Sequence, residues 1–226
     1  MGVALKTVWL VVLATVLATG SARADRKEKA EDLVSDAAVS IDYFANDRNY
    51  RAMWRQAQDA AAIVVIPRSV RAGFVFGGSG GNGAMIARRE NGWSEPAFLR
   101  ISSFSFGLQA GGEVSEIILL IMTKEGMDSL LSTSVKLGAD LTIAAGPLGG
   151  GAKAQTADVL AYSRSQGLYG SISIEGGVLK VNRKWNEAYY GAPVSPADIF
   201  YLGKAANPKS SMLKAAASRL LAKSPN

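Results

Sequence analysis

The chain contains no histidine and no cysteine. A serine triad, a cysteine–histidine dyad, a two-histidine zinc motif, a histidine general base and any metal–thiolate site are therefore excluded. Carboxylates remain, and Asp42, Glu113, Glu116, Asp128 and Asp140 fall in or near regularly patterned segments. Their spacing matches no acid–base motif, and solvated faces or helix caps account for them more simply. A serine–lysine mechanism would want Ser-x-x-Lys opening a helix, and Ser94-Glu95-Pro96-Ala97 is a mismatch to it. Residues 77–83 are rich in glycine, and successive backbone N–H groups there could cradle an anion. The run lacks the Gly-Lys-Ser or Gly-Lys-Thr ending of a phosphate loop, and the residues after it alternate like a strand, so a glycine-rich bend in a sheet is expected. Arg68 and Arg71 precede one strand candidate, and Arg88 and Arg89 follow its partner. Paired through the glycine stretch, the four would meet and could hold phosphate head groups by charge-assisted hydrogen bonds. An ordinary solvated sheet end explains them as well, and the sequence leaves both readings open.

The elements that must position these residues begin after an N-terminal segment of a different kind. Lys6, the uncharged apolar run over residues 8–19 and the small residues Ala22 and Ala24 have the order of a secretory signal, which predicts cleavage before Asp25. The apolar run is shorter than the roughly 20 residues that span a bilayer. Removing residues 1–24 lowers the formal charge from +6 to +4, because Lys6 and Arg23 leave and no acidic residue does. That balance is too weak to imply nucleic acid, and it suits a protein that meets anionic head groups. The expectation is an exported protein, periplasmic or secreted, with no cofactor.

Helical spacing runs through Leu33, Ala37, Ile41 and Phe44, and a second short helix carries Met53, Trp54 and Ala57, with Asn46-Asp47 as turn and cap between them. The period then shortens. Residues 61–66 form a continuous apolar run stopped by Pro67, and strand candidates follow over 71–76, 84–89, 97–101, 104–110, 115–123, 135–145, 169–175 and 178–182, with a helix over 124–132. Glu175-Gly176-Gly177 reads as a hairpin turn. Ser195 as N-cap with Pro196 opens another helix, and residues 204–226 form a basic, alanine-rich tail, peripheral or frayed. The expected fold is one α+β domain over residues 25–203, a strongly bent or barrel-like antiparallel sheet with helices at its N- and C-terminal ends.

Val65-Ile66-Pro67, Arg71-Ala72-Gly73-Phe74, Gly77-Gly78, Gly80, Gly83, Trp93-Ser94, Pro96, Gly107, Gln109, Gly111, Gly146-Pro147, Gly149, Tyr162-Ser163, Ser165, Gly167-Leu168 and Gly170 occur in an order and spacing that resembles the SYLF domain, from about residue 60 to residue 190. The resemblance implies lipid binding: eukaryotic members associate with phosphoinositide membranes and some bind actin filaments. In the family, an N-terminal amphipathic helix contributes to membrane contact. Here Arg26, Lys27 and Lys29 with Leu33, Ile41 and Phe44 occupy that segment, where an interfacial role and core packing are equal alternatives. The resulting expectation is a non-enzymatic envelope protein that binds anionic phospholipid through Arg68, Arg71, Arg88 and Arg89. Its alternative is a structural or protein-interaction module. The protein partner is unknown, and actin is not expected as one because an exported chain would not meet it.

Overall fold

In the computed structural model, the backbone is described for residues 2–73, 76–106, 111–147, 157–165, 168–170 and 176–223, and side chains for 22–72, 78–103, 112–147, 157–165 and 176–223. The first helix, α1 (Gly2–Asn46), passes without a break through Ala22 and Ala24. Among the described residues no helix is long and apolar enough to cross a membrane. Within α1, Ala30, Leu33, Val34, Ala37, Ala38, Ile41, Phe44 and Ala45 recur at steps of three and four and are all buried. Packing of this stripe, more than intrinsic propensity, holds the helix in place. The Asp47 carboxylate then accepts the Asn49 N–H at 3.0 Å, and α2 (Arg51–Asp59) follows with Met53, Trp54 and Ala57 buried.

Among the described residues the sheet has ten strands: β1 (Ala62–Gly73), β2 (Phe76–Arg89), β3 (Gly92–Trp93), β4 (Ala97–Phe106), β5 (Gly111–Ile121), β6 (Ser134–Lys136), β7 (Ile143–Ala145), β8 (Val159–Ser165), β9 (Leu168–Gly170) and β10 (Val178–Val181). They pair in the order β6-β10-β4-β2-β1-β5-β8-β7, with β3 beside β2 and β9 beside β8. The α+β class and the strongly curled sheet are as expected. The sheet is mixed where an antiparallel one was expected, because β7 lies parallel to β8. The remaining helices are α3 (Lys124–Leu130), α4 (Arg183–Tyr190), α5 (Pro196–Phe200) and α6 (Ser211–Leu221).

Alternate residues of the central strands feed two separate cores. Ile63, Val65, Ala84, Ile86, Phe98, Ile118, Leu120, Leu160 and Tyr162 face α1, α2 and α6. Val64, Ile66, Met85, Leu99, Ile117, Leu119, Val159 and Ala161 face the other way, toward Met127 and Leu130 of α3 and Ile199 and Phe200 of α5. Burial on both faces is why residues 61–66 read as a continuous apolar run.

Four sequence expectations fail in physically informative ways. Pro67 does not stop β1. The strand bulges there against both neighbours, with register shifts between Val65 and Arg68 and between Ile66 and Ser69, and the bulge absorbs the missing N–H donor. The glycines of 77–83 are not a connection but part of β2, since Gly73 pairs with Gly77 and Arg71 with Ser79. The strand expected over 135–145 is broken at Gly138, whose φ of 87° turns the chain while Asp140 accepts the Lys136 N–H at 2.7 Å. Finally, the expected hairpin around Glu175-Gly176-Gly177 lies partly outside the described residues, and β10 after it pairs with β4 and β6.

The C-terminal segment is not a peripheral tail. Leu213, Ala216, Ala217 and Leu220 of α6 are buried in the core beneath α1, and the Arg219 guanidinium makes two hydrogen bonds to the Asp42 carboxylate at 2.7 and 3.0 Å.

Candidate functional site

Past the bulge at Pro67, the sheet face toward α1 changes from apolar to charged. Arg68 pairs in register with Asn82, Asn82 with Arg100, and Arg100 with Lys180. On the other side of β1, Glu116 follows Ser115, the partner of Ser69, and pairs with Arg164. Strand alternation puts the row on the α1 face. Asn82 is two residues from Ala84, Arg100 two from Phe98, Glu116 two from Ile118 and Arg164 two from Tyr162, all members of the α1-side core, while Lys180 lies between Leu179 and Val181 of the opposite core. The floor thus carries Lys180, Arg100, Asn82, Arg68, Glu116 and Arg164 side by side across six strands.

Two adjoining grooves along the flank of α1 expose this floor from Arg100 to Arg164, and Lys180 is exposed beyond them, beside Arg100. The larger, about 980 Å³, is lined by Arg26, Lys29, Asp32 and Asp36 of the helix, by Arg68, Asn82 and Arg100 of the floor, and by Lys184 and Trp185 of α4. The smaller, about 320 Å³, joins it at Asp36, Pro67 and Arg68 and is lined by Val39, Val114, Glu116 and Arg164. Val39, Tyr43, Val70 and Val114 are unusually exposed for large apolar side chains and border the same region. The Arg164 guanidinium lies 4.1 Å from the centre of the Tyr43 ring. Among the described residues, Arg26, Arg68, Arg100, Lys180 and Lys184 form no ion pair. Lys29 pairs with Asp25 at 2.9 Å, so the helix wall carries both signs while the floor is mainly cationic. Asn82 Oδ1, in the middle of the floor, is shielded from solvent without a hydrogen-bond partner.

Glu116 is the one acid of the row. Burial pushes its carboxyl up, and the nearby Arg164 charge opposes that shift. A carboxyl raised in the folded state contributes stability that is complete below its unfolded pKa and is lost as pH rises through the folded value. Glu116→Gln is therefore expected to melt above the native protein at pH 7, with the difference closing below about pH 4. Paired thermal melts at the two pH values check this, and a lower melting temperature for the variant at pH 7 would mean that the carboxylate has a net favourable partner.

The arginines proposed from the sequence do not assemble. Arg68 lies on the groove floor. Arg71 lies on the opposite face, in register with Ser79 and Glu113. Because Ala62 pairs with Ala87, Arg88 stands about seven residues from Arg68 along the hairpin, roughly 23 Å at the rise of a strand. The cause is the position of the reversal, between Gly73 and Gly77 instead of across 77–83. Arg88 donates to Ala57 O at 2.7 Å and Ala60 O at 3.0 Å at the end of α2, and Arg89 to Ile199 O at 2.7 Å and Phe200 O at 3.1 Å at the end of α5. Each guanidinium satisfies carbonyls left open at a helix C-terminus. Of the α1 candidates, Arg26 and Lys29 enter the groove, Lys27 pairs with Glu31 at 3.9 Å, and Leu33, Ile41 and Phe44 are core residues with no exposed apolar face to insert into a bilayer.

The carboxylates are likewise dispersed. Asp42 binds Arg219, Asp128 binds Lys124, Asp140 closes a turn, and among the described residues no cluster of three metal-binding side chains occurs. The sequence does hold a Ser-x-x-Lys at a helix start, Ser211 to Lys214, contrary to the expectation above. Lys214 Nζ is tied to Glu95 at 2.5 Å, and the neighbouring Ser210 hydroxyl, fully buried, donates to the same carboxylate. The motif's own Ser211 is exposed, and Lys214 is committed to the Glu95 carboxylate that also takes the Ser210 hydroxyl, an arrangement that serves as a structural clasp. Sequence reasoning missed Arg100, Lys180 and Arg164, and named Glu116 only as one of several dispersed carboxylates. Alternation in Phe98-Leu99-Arg100-Ile101 marks Arg100 as facing away from Leu99, but only strand register shows what stands beside it.

The chain thus combines a strongly curled mixed sheet, a charged groove along α1 and dispersed carboxylates. Residues 102–220 match the model of the Ysc84 family, described as Las17-binding protein actin regulator, and the chain belongs to that family. The resemblance to the SYLF domain is thereby confirmed. The chain is 32% identical to the SH3 domain-containing protein PJ696.02 of Schizosaccharomyces pombe over 64% of its own length and 36% of that protein. It is 28% identical to LAS seventeen-binding protein 3 of Saccharomyces cerevisiae over 76% of its length and 38% of the relative. Against SH3 domain-containing YSC84-like protein 1 of Homo sapiens the identity is 30%, over 58% and 41%. The chain thus spans about two fifths of the length of these relatives. The expectation that actin is excluded as a partner does not stand, because the family carries the description Las17-binding protein actin regulator and one of these relatives is named for binding LAS seventeen.

Proposed function

We propose that this chain is a protein-interaction module of the Ysc84 type, with the groove between α1 and the charged half of the sheet as its docking face. The observation that carries this reading is the register-aligned row of cations, of which Arg68, Arg100 and Lys180 form no ion pair among the described residues. Lys180 and Arg100 stand directly opposite on paired strands, where like charges cost stability, and they persist on rigid elements beside exposed Val39, Val70 and Val114. A charged floor steers and selects a partner of complementary charge, and exposed apolar side chains beside it add area for that partner to bury. The names of the relatives support a protein as the partner, of the actin-regulatory kind.

The test is co-sedimentation of the purified chain with actin filaments, together with capture on immobilised Las17. Saturable binding in either arm, weakened by Arg68→Glu, supports the reading. Absence of binding in both arms, with the chain folded by circular dichroism, would refute it.

A further inference from the structure

We infer that the cationic row selects an acidic polypeptide segment, and that a helix bearing about one carboxylate per turn is its natural occupant. The inference rests on the groove being the docking face and specifies what docks there.

The spacing comes from the sheet. Neighbouring strands are about 4.8 Å apart, so Lys180 and Arg100 on β10 and β4 present charges at that interval, and Arg68 follows two strands further on. Carboxylates three or four residues apart on one helix face are separated by about 5–6 Å. A helix lying across the strands therefore brings neighbouring carboxylates over Lys180 and Arg100 and another, two turns further on past Asn82, over Arg68, while Lys184 and Arg26 flank the path from α4 and α1. Asp32 and Asp36 on the helix wall accept basic residues from the other side of the same segment, and Val39, Val70 and Val114 meet apolar ones.

A membrane surface fits the same charges less well. The floor cations Arg68, Arg100 and Lys180 are exposed, but they lie beside the walls formed by α1 and α4, which a polypeptide segment follows more readily than a flat bilayer does. The apolar residues of α1 proposed from the sequence for insertion, Leu33, Ile41 and Phe44, are packed in the core, which leaves Val39 and Tyr43 as its exposed large apolar side chains among the described residues. The mixed signs of the helix wall also suit a polypeptide, which carries both, better than a surface carrying one.

The experiment uses the full chain and a fluorescently labelled helical peptide with glutamate at every third or fourth position, its glutamine counterpart, and vesicles of phosphatidylserine with phosphatidylcholine. The glutamate peptide is expected to bind by polarisation, the glutamine peptide at least roughly tenfold more weakly, and binding should fall steeply as salt rises, as it does for charge pairs of this kind. The double variant Arg100→Glu/Lys180→Glu, confirmed folded by its thermal melt, should lose roughly tenfold or more, whereas Lys209→Glu, on the exposed start of the C-terminal segment, should not. Equal affinity for the two peptides, or unchanged binding by the double variant, overturns the inference. So does retention on vesicles that the double variant abolishes while the peptide stays free, which would assign the row to lipid head groups. Binding of actin or Las17 without the peptide would leave the docking face standing and remove the acidic helix as its occupant.

Discussion

Gly81→Ala is expected to lower stability by about 3 kcal/mol, a fall in melting temperature of roughly 6–12 °C for a domain of this size. A Cβ on Gly81 would stand 2.6 Å from the carbonyl oxygen of Arg68 and 2.8 Å from Ile66 Cγ2. Both atoms belong to the bulge at Pro67, where β1 already departs from its ladder with β2 and β5. The oxygen is backbone, so relief requires the two strands to separate at the point that sets Arg68 and Asn82 side by side. Gly78→Ala on the same strand is the control: its Cβ meets Ser103 O at 3.7 Å, an ordinary contact. That variant should melt close to the native protein, since alanine also restricts the unfolded chain. Equal melting of both variants would mean that β2 does not approach the bulge as closely as described. If Gly81→Ala folds at reduced temperature, its affinity for the acidic peptide should also fall, because the row passes through its neighbour Asn82.

Glu95→Ala is expected to cost about 3–5 kcal/mol and to release the C-terminal helix. The Glu95 carboxylate, 14% exposed, accepts from Lys214 Nζ at 2.5 Å, from the Ser210 hydroxyl at 2.5 Å and from the Asn207 N–H at 3.1 Å. Alanine would leave three donors, one of them charged, in a largely closed site. Tyr190 donates its hydroxyl to Pro96 O at 2.5 Å, so the same few residues before β4 also anchor α4. Denaturant unfolding measures the loss, and limited trypsin digestion localises it, with early cleavage after Lys214 and Arg219 in the variant. Glu95→Gln, which keeps the shape and two neutral hydrogen bonds, should lose less. A double-mutant cycle with Lys214→Met should be strongly non-additive. Additive losses, or a trypsin pattern identical to the native one, would mean that α6 is held by its apolar face alone.

Much of the architecture was legible because it depends on local chemistry. The three- and four-residue spacing of Leu33, Ala37, Ile41 and Phe44 specifies a helix with one buried side, and the Asn46-Asp47 turn lies where a polar pair interrupts that spacing. The capping box of Ser195 with Asp198 and Pro196 in the first turn mark α5 through side chains within a few residues of one another. The dense apolar stretch of residues 61–66 announces a strand buried on both faces, and the absence of histidine and cysteine limits the available chemistry whatever the fold.

The docking face depended on distances that the sequence does not encode locally. Moving the β1–β2 reversal from residues 77–83 to the short stretch between Gly73 and Gly77 changes no residue, yet it separates Arg88 and Arg89 from Arg68 by most of a strand and sends them to cap two helices. Arg68, Arg100, Lys180 and Arg164 are far apart along the chain and brought into one row only through five strand registers. A shift of one residue in any of them would turn a charge to the opposite face. The sequence by itself determined the helices, the buried strand stretches and the chemistry that is excluded, because those follow from neighbours within a turn or a strand. Which charges stand together, and that α6 belongs to the core, was decided only by tertiary structure, because pairing register and the Glu95 clasp join residues through space.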